Sequence, residues 1–268
     1  MKKIILAAPR GFCAGVVRAI DIVNIALEVF SRPVYVRKEI VHNRHVVSEL
    51  QNRGAIFVES LDEVPRNKTV IFSAHGVSPQ VREDAKKRGL CIIDATCPLV
   101  YEIHEEVIKL ESDGRKIIII GDHDHDEVVG IASQVENPVI ISTPDEAKEM
   151  KKMKYAGVVS QSTQSLENVQ EIINILMTKV YDLHFINTIC FPTKRNQEQI
   201  KKLAKKCDVM IVIGSFTSAN SKRLALLAKE RNKKSLQNRG QCSQILFLCK
   251  ISPNGSNSTL TLVAENKI

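Results

Sequence analysis

Three of the seven cysteines in this 268-residue chain stand where an apolar run gives way to an amphipathic stretch. Cys13 follows "IILAAPRGF", Cys97 follows "CIIDAT" and Cys190 follows "LHFINTI". The intervals are 84 and 93 residues, far outside any local CxxC ligand pattern, yet each thiol lies where a strand hands over to a helix. In open α/β sheets that carboxyl edge is where ligands bind. Three thiols offered from three equivalent edges can face one centre and hold a thiophilic metal; the competing reading is three unrelated buried thiols. Cys91, in a strand, and Cys207, on the apolar face of a helix, read as packing residues, while Cys242 and Cys249 fall in an atypical tail.

Other strand ends carry a second kind of chemistry: "VHN" at 41–43, "SAHG" at 73–76, "GDHDHDE" at 121–127, "SQSTQS" at 160–165 and "GSFTSANS" at 214–221. His42, His75, His125, Glu127, Ser218 and Asn220 can therefore converge on one cleft. Small hydroxyl and amide groups at helix starts, joined by imidazoles, suit an anionic, oxygen-rich group such as a diphosphate. No GxxxxGK[ST] or GxGxxG stretch occurs, which points to a small phosphorylated metabolite rather than a nucleotide. Glu127, two residues after His125, can deliver a proton to a leaving oxygen; the plain alternative is a carboxylate favouring a helix dipole.

The elements that must position these groups alternate. Short aliphatic runs at 4–8, 33–36, 69–72, 91–94, 116–120, 138–141, 157–160 and 209–213 read as strands. Between them Val16, Ile20, Val23, Leu27 and Phe30, and again Val100, Ile103, Val107 and Leu110, fall at helical spacing. The pattern predicts an α/β chain with mainly parallel sheets. With 44% apolar residues the chain can bury ordinary cores. No run reaches the roughly 20 residues of a membrane span, and the first apolar stretch stops at Pro9, too soon for a signal-peptide core. Odd, scattered cysteines predict a reducing, cytoplasmic setting. The net charge of +8 suits nucleic acid, an anionic surface or a phosphorylated ligand without choosing among them.

"PRGFCAGV", "VHNR", "FSAHGVS", "DATCPLV", "HDE", the Ser/Thr–Gln segment, "TIC" and "SANSKRL" occur in the order found in the 4-hydroxy-3-methylbut-2-enyl diphosphate reductases, which the chain resembles from residue 1 to about 234. The resemblance implies three similar α/β units in a trefoil-like arrangement around a [4Fe–4S] cluster. It implies that Cys13, Cys97 and Cys190 are the three cluster ligands, leaving one iron open to act as a Lewis acid on the substrate's hydroxyl. Two electrons and two protons then remove that hydroxyl as water, giving isopentenyl and dimethylallyl diphosphates, the last step of the non-mevalonate isoprenoid pathway. His42, His75, His125, Ser218 and Asn220 match positions that hold the diphosphate, Glu127 matches the proton donor, and Ser162 stands where the family has a relaying threonine. A ferredoxin or flavodoxin is the implied electron donor, and a monomer or homodimer the implied assembly.

The units implied are 14–96, 97–193 and 194–268, with 1–13 as an N-terminal strand leading to the first cysteine. Ser162, Ala219 and Asp126 depart from the family's usual threonine, serine and proline, and Arg195 and Asn196 stand in reversed order. From about Ser235 the chain is rich in Ser, Asn and Gln and matches no motif of the family. That tail predicts a truncated or frame-altered coding sequence, an incomplete third unit, and, as an alternative function, a catalytically impaired family copy. Two other classes fit the sequence less well. A zinc hydrolase using Cys13, Cys97 and histidines lacks a compact ligand motif. A basic RNA-binding protein lacks any recognised module and has only 4% aromatic residues to stack on bases.

Overall fold

The computed structural model describes residues 3–238 and 246–251 of the chain. Its strands form three four-stranded sheets. Strand β1 (Lys3–Leu6) leads into helix α1 (Ala14–Val29). The next sheet holds β2 (Val34–Arg37), β3 (Ala55–Val58), β4 (Thr69–Phe72) and β5 (Cys91–Asp94) in the order β3-β2-β4-β5, parallel throughout. One face is covered by α1 and α2 (Arg44–Asn52), whose Val23, Leu27, Val46 and Leu50 meet Val34, Val36 and Ile71. Ala85 of α3 (Pro79–Lys87) lies on the other face, with Tyr35, Val70 and Phe72.

The second sheet repeats the plan. It holds β6 (Lys116–Ile120), β7 (Val139–Ile141), β8 (Met153–Ser160) and β9 (Val180–Phe185) in the order β7-β6-β8-β9, all parallel. Ile117 and Ile119 pack with α4 (Pro98–Ser112) and α5 (Asp126–Ala132), while Ile118 and Ile120 pack with α6 (Pro144–Glu149) and α7 (Leu166–Leu176). A strand buried on both faces needs an unbroken apolar run, and that is why "KIIII" shows no alternation. Gly157 in β8 marks a tight approach: a Cβ there would stand 2.8 Å from Leu110 Cβ and 3.0 Å from its Cδ1. Gly157→Ala is therefore expected to overpack this core and to cost about 1–3 kcal/mol, read as a lowered urea midpoint.

The third sheet is mixed. It follows α8 (Phe191–Ala204) and contains β10 (Val209–Ile213), β11 (Leu236–Asn238) after α9 (Ala219–Arg231), and β12 (Leu246–Ile251). The order is β1-β12-β10-β11; β10 and β11 are parallel, but β12 runs antiparallel to both β1 and β10. The expectation of mainly parallel sheets thus holds, and the one antiparallel strand, β12, is an addition to it. Residues 239–245 are too few for the helical crossover that a parallel neighbour requires.

Strand β3 was not foreseen, being four residues with Ile56 exposed. Cys207 lies between α8 and β10 rather than on a helix, and is buried beside Met210 and Leu227. Cys91, read as a packing residue, is exposed on the edge strand β5. Two strands of the segment after 235 enter the third sheet; Cys242 and residues 252–268 lie outside the described residues.

Candidate active site

All ten residues singled out from the sequence line one cavity of about 270 Å³ between the sheets. Cys13, Cys97 and Cys190 are the N-cap residues of α1, α4 and α8. Where Ser, Thr, Asp or Asn would ordinarily bond the first free N–H groups of the helix, the three thiols make no capping bond. Asn43, His125 and Ser218, the N-caps of α2, α5 and α9, also line the cavity and do accept such bonds. Six helix N-termini therefore converge there, each contributing the partial positive charge of its unpaired amides. The cavity is built for negative charge.

Burial pushes the Cys97 and Cys190 thiols above the usual range, which favours a ligand that compensates them. Cys190 Sγ lies 3.0 Å from Thr193 Oγ1. A Cβ on Gly15 would come within 2.8 Å of Cys97 Sγ and 3.9 Å of Cys13 Sγ, so glycine keeps the space beside two thiols clear. Among the described residues only His42, His75 and Asp126 gather ligand atoms within 4.8 Å of one another. The three sulfurs are thus too widely set to share one zinc ion, whose bonds to sulfur are about 2.3 Å. The donor set, three thiols at three helix starts, fits an iron–sulfur cluster.

Glu127, 3% exposed, enters from the first turn of α5. Its Oε1 accepts from the Ser162 N–H at 2.6 Å and its Oε2 from Ser162 Oγ at 2.9 Å. Burial holds the carboxyl above its ordinary range; the two bonds from Ser162 and the charge of Arg223 act the other way without cancelling it. The result is a carboxyl with raised proton affinity and a hydroxyl directly beside it. Ser162, in the family's threonine position, bonds Glu127 through both its N–H and its hydroxyl.

The three histidines form a cluster, with His42 and His75 stacked at 4.1 Å and His125 edge-on at 5.0 and 5.7 Å. Burial and mutual repulsion hold His75 well below the usual imidazole range and bring His125 down to about 4. His125 Nδ1 accepts from the Glu127 N–H at 3.2 Å, which leaves Nε2 to carry the proton. Ser218 Oγ accepts from Ser221 N at 3.3 Å, and Asn220 Oδ1 is buried without a hydrogen-bond partner among the described residues. Asp126, which adds negative charge beside the acid, is drawn toward Lys38 at 3.7 Å.

Thr193 and Asn196 also line the cavity; from the sequence Asn196 stood out only for its order with Arg195, and Thr193 not at all. Thr193, Asn196, Gln197, Ile200 and Ala204 are all buried on α8, one helical face continuous with Cys190. The signal was present in "CFPTKRNQEQI", but a face that turns from apolar to polar at its cavity end does not look like a core stripe.

Comparison with known proteins gives the family and the fold. A family model described as LytB protein matches residues 4–240. The chain belongs to the LytB family. Among its LytB relatives is the 4-hydroxy-3-methylbut-2-enyl diphosphate reductase of Methylococcus capsulatus, 46% identical over 241 residues, covering 87% of this chain and 77% of that protein. The Acinetobacter baumannii reductase of the same name is 42% identical and covers 99% of this chain and 88% of that protein. That alignment spans the segment after 235, whereas the match to the family model ends at residue 240. The LytB fold is recognised in the solved reductase of Plasmodium falciparum, with a TM-score of 0.83, 38% identity and coverage of 86% of this chain and 74% of that one. It is recognised again in a reductase described as the terminal enzyme of the non-mevalonate pathway, with a TM-score of 0.66, 34% identity and coverage of 87% and 84%. Among the described residues no helix is long and apolar enough to cross a membrane.

Proposed function

We propose that this LytB protein reduces (E)-4-hydroxy-3-methylbut-2-enyl diphosphate to isopentenyl and dimethylallyl diphosphates. The observation that carries the reading is the convergence of three cysteine N-caps, three histidines and the Glu127–Ser162 pair on one cavity. Cys13, Cys97 and Cys190 would hold a [4Fe–4S] cluster, whose open iron supplies Lewis acidity toward a hydroxyl and a path for electrons.

The protein's own groups do the rest. His42, His75, His125, Ser218 and Asn220 hold the diphosphate, aided by the helix N-termini behind His125 and Ser218. Holding the anion at one end orients the hydroxyl at the other, so binding energy is used for geometry at the reacting centre. His75 and His125, held below the ordinary imidazole range in the free protein, gain proton affinity as the anion approaches. Glu127 holds a proton that Ser162 Oγ passes to the departing oxygen, and the enclosing walls limit competing water. Electrons come from a ferredoxin or flavodoxin, the positively charged chain favouring an acidic carrier, and the protein acts as a monomer or homodimer.

Protein purified without oxygen tests this directly. About four iron and four acid-labile sulfide per chain, with conversion of the substrate by a reduced carrier, are the expected results. A folded chain that takes up no iron on reconstitution overturns the reading.

A further inference from the structure

The wall carrying Glu127 and Ser162 is tied to the third sheet's helices by a side chain outside the cavity. Arg223 lies on α9, one turn beyond Asn220, with its side chain 12% exposed. Its Nη2 donates to Asp122 Oδ1 at 2.6 Å and its Nε to Gln164 Oε1 at 2.9 Å. Longer contacts reach Gln161 Oε1 at 3.3 Å and Thr163 Oγ1 at 3.4 Å. Gln161 is fully buried, and its Oε1 also accepts from the Asp122 N–H at 3.1 Å.

These partners bracket the site. Asp122 follows β6 and precedes His125 and Glu127, while Gln161 and Thr163 flank Ser162 in sequence. Ser218 and Asn220 stand at the start of the helix from which Arg223 projects. One planar fork thus fastens three segments, each bearing cavity residues. A lysine keeps the charge but presents a single point that cannot serve four acceptors spread over two loops.

We propose that Arg223 is a positioning residue that sets the distance between the anion-binding start of α9 and the wall carrying Glu127 and Ser162, and thereby the affinity for the diphosphate group. The proposal rests on the diphosphate reading above. A second tie survives its loss, because Gln197 of α8 donates to Gln164 O at 2.9 Å and accepts from Leu166 N at 3.2 Å. Removing the fork loosens the joint without separating it.

The test is calorimetric titration of inorganic diphosphate into the whole iron-loaded chain and into its Arg223→Lys variant. Iron content and thermal unfolding are measured alongside. The expected result is binding weakened about tenfold, with iron content and unfolding temperature retained, a pattern a purely structural role does not produce. Weakening of less than about threefold overturns the proposal. Should the lysine variant not fold, Asp122→Asn, which weakens the shortest arm from the other side, is read by the same criterion. Failure of the unaltered chain to bind diphosphate overturns the diphosphate reading, and this inference with it; equal binding by both chains overturns this inference alone.

Discussion

Cys13→Ser is expected to strip the chain of most of its iron and to lower turnover by at least about a thousandfold, a barrier increase of about 4 kcal/mol. Cys13 lines the cavity at the cap of α1, next to the space that Gly15 keeps clear. A serine oxygen in that place is a harder and far less acidic donor, and two thiolates with no replacement do not retain a four-iron cluster. The same change improves the helix, since serine is a preferred N-cap where the cysteine makes no capping bond. The variant should therefore unfold no more easily than the unaltered iron-free chain. Iron and sulfide analysis, the visible spectrum and a denaturant titration check this together. Full iron retention would remove Cys13 from the ligand set.

Glu127→Gln should leave iron content and diphosphate affinity near their original values while lowering kcat by about 10²–10⁴-fold. The amide keeps the shape of the acid: its oxygen can still accept from the Ser162 N–H, and its NH₂ can donate to Ser162 Oγ. What it cannot do is release a proton. A pH dependence follows with a definite sign. Because the carboxyl is held above its ordinary range by burial, the native chain keeps this proton where the unfolded chain has lost it. Its contribution to stability is complete below the ordinary carboxylate pKa and is lost as pH rises through the raised one. Glutamine should flatten that part of the profile and stabilise the protein above it. Denaturation midpoints at several pH values measure this; an unchanged slope, with undiminished turnover, would remove the acid role.

Much of this was legible in the sequence because the informative residues sit at punctuation marks. A cysteine or histidine directly after an aliphatic strand and directly before an amphipathic helix has its position fixed by the elements on either side. That is why Cys13, Cys97, Cys190 and His125 could be placed without coordinates. The convergence of the three edges could not be read from spacing alone. Arg223 and Gln161 were invisible because their role depends on two units meeting, and nothing local separates them from a surface helix residue and a loop amide. The antiparallel strand of the third sheet is illegible for a related reason. Strand direction follows from what lies between strands, and the antiparallel strand β12 falls in a stretch whose composition resembles a loop.

The place of β1 has a consequence for how the molecule comes into being. Its only strand neighbour in the described sheet is β12, with Lys3 opposite Ile251 and Leu6 opposite Leu248. Synthesis makes β1 first, and then leaves it unpaired while the two parallel sheets are translated and can assemble behind it. Only when residues near 251 leave the ribosome can the first strand be fastened. Closing so long a loop is slow compared with forming the local βαβ contacts of the other two sheets. The strand that leads to Cys13 is thus the earliest made and the last secured, while α1 behind it can already pack on the sheet of β2–β5, so the third sheet is completed only with nearly the whole described chain.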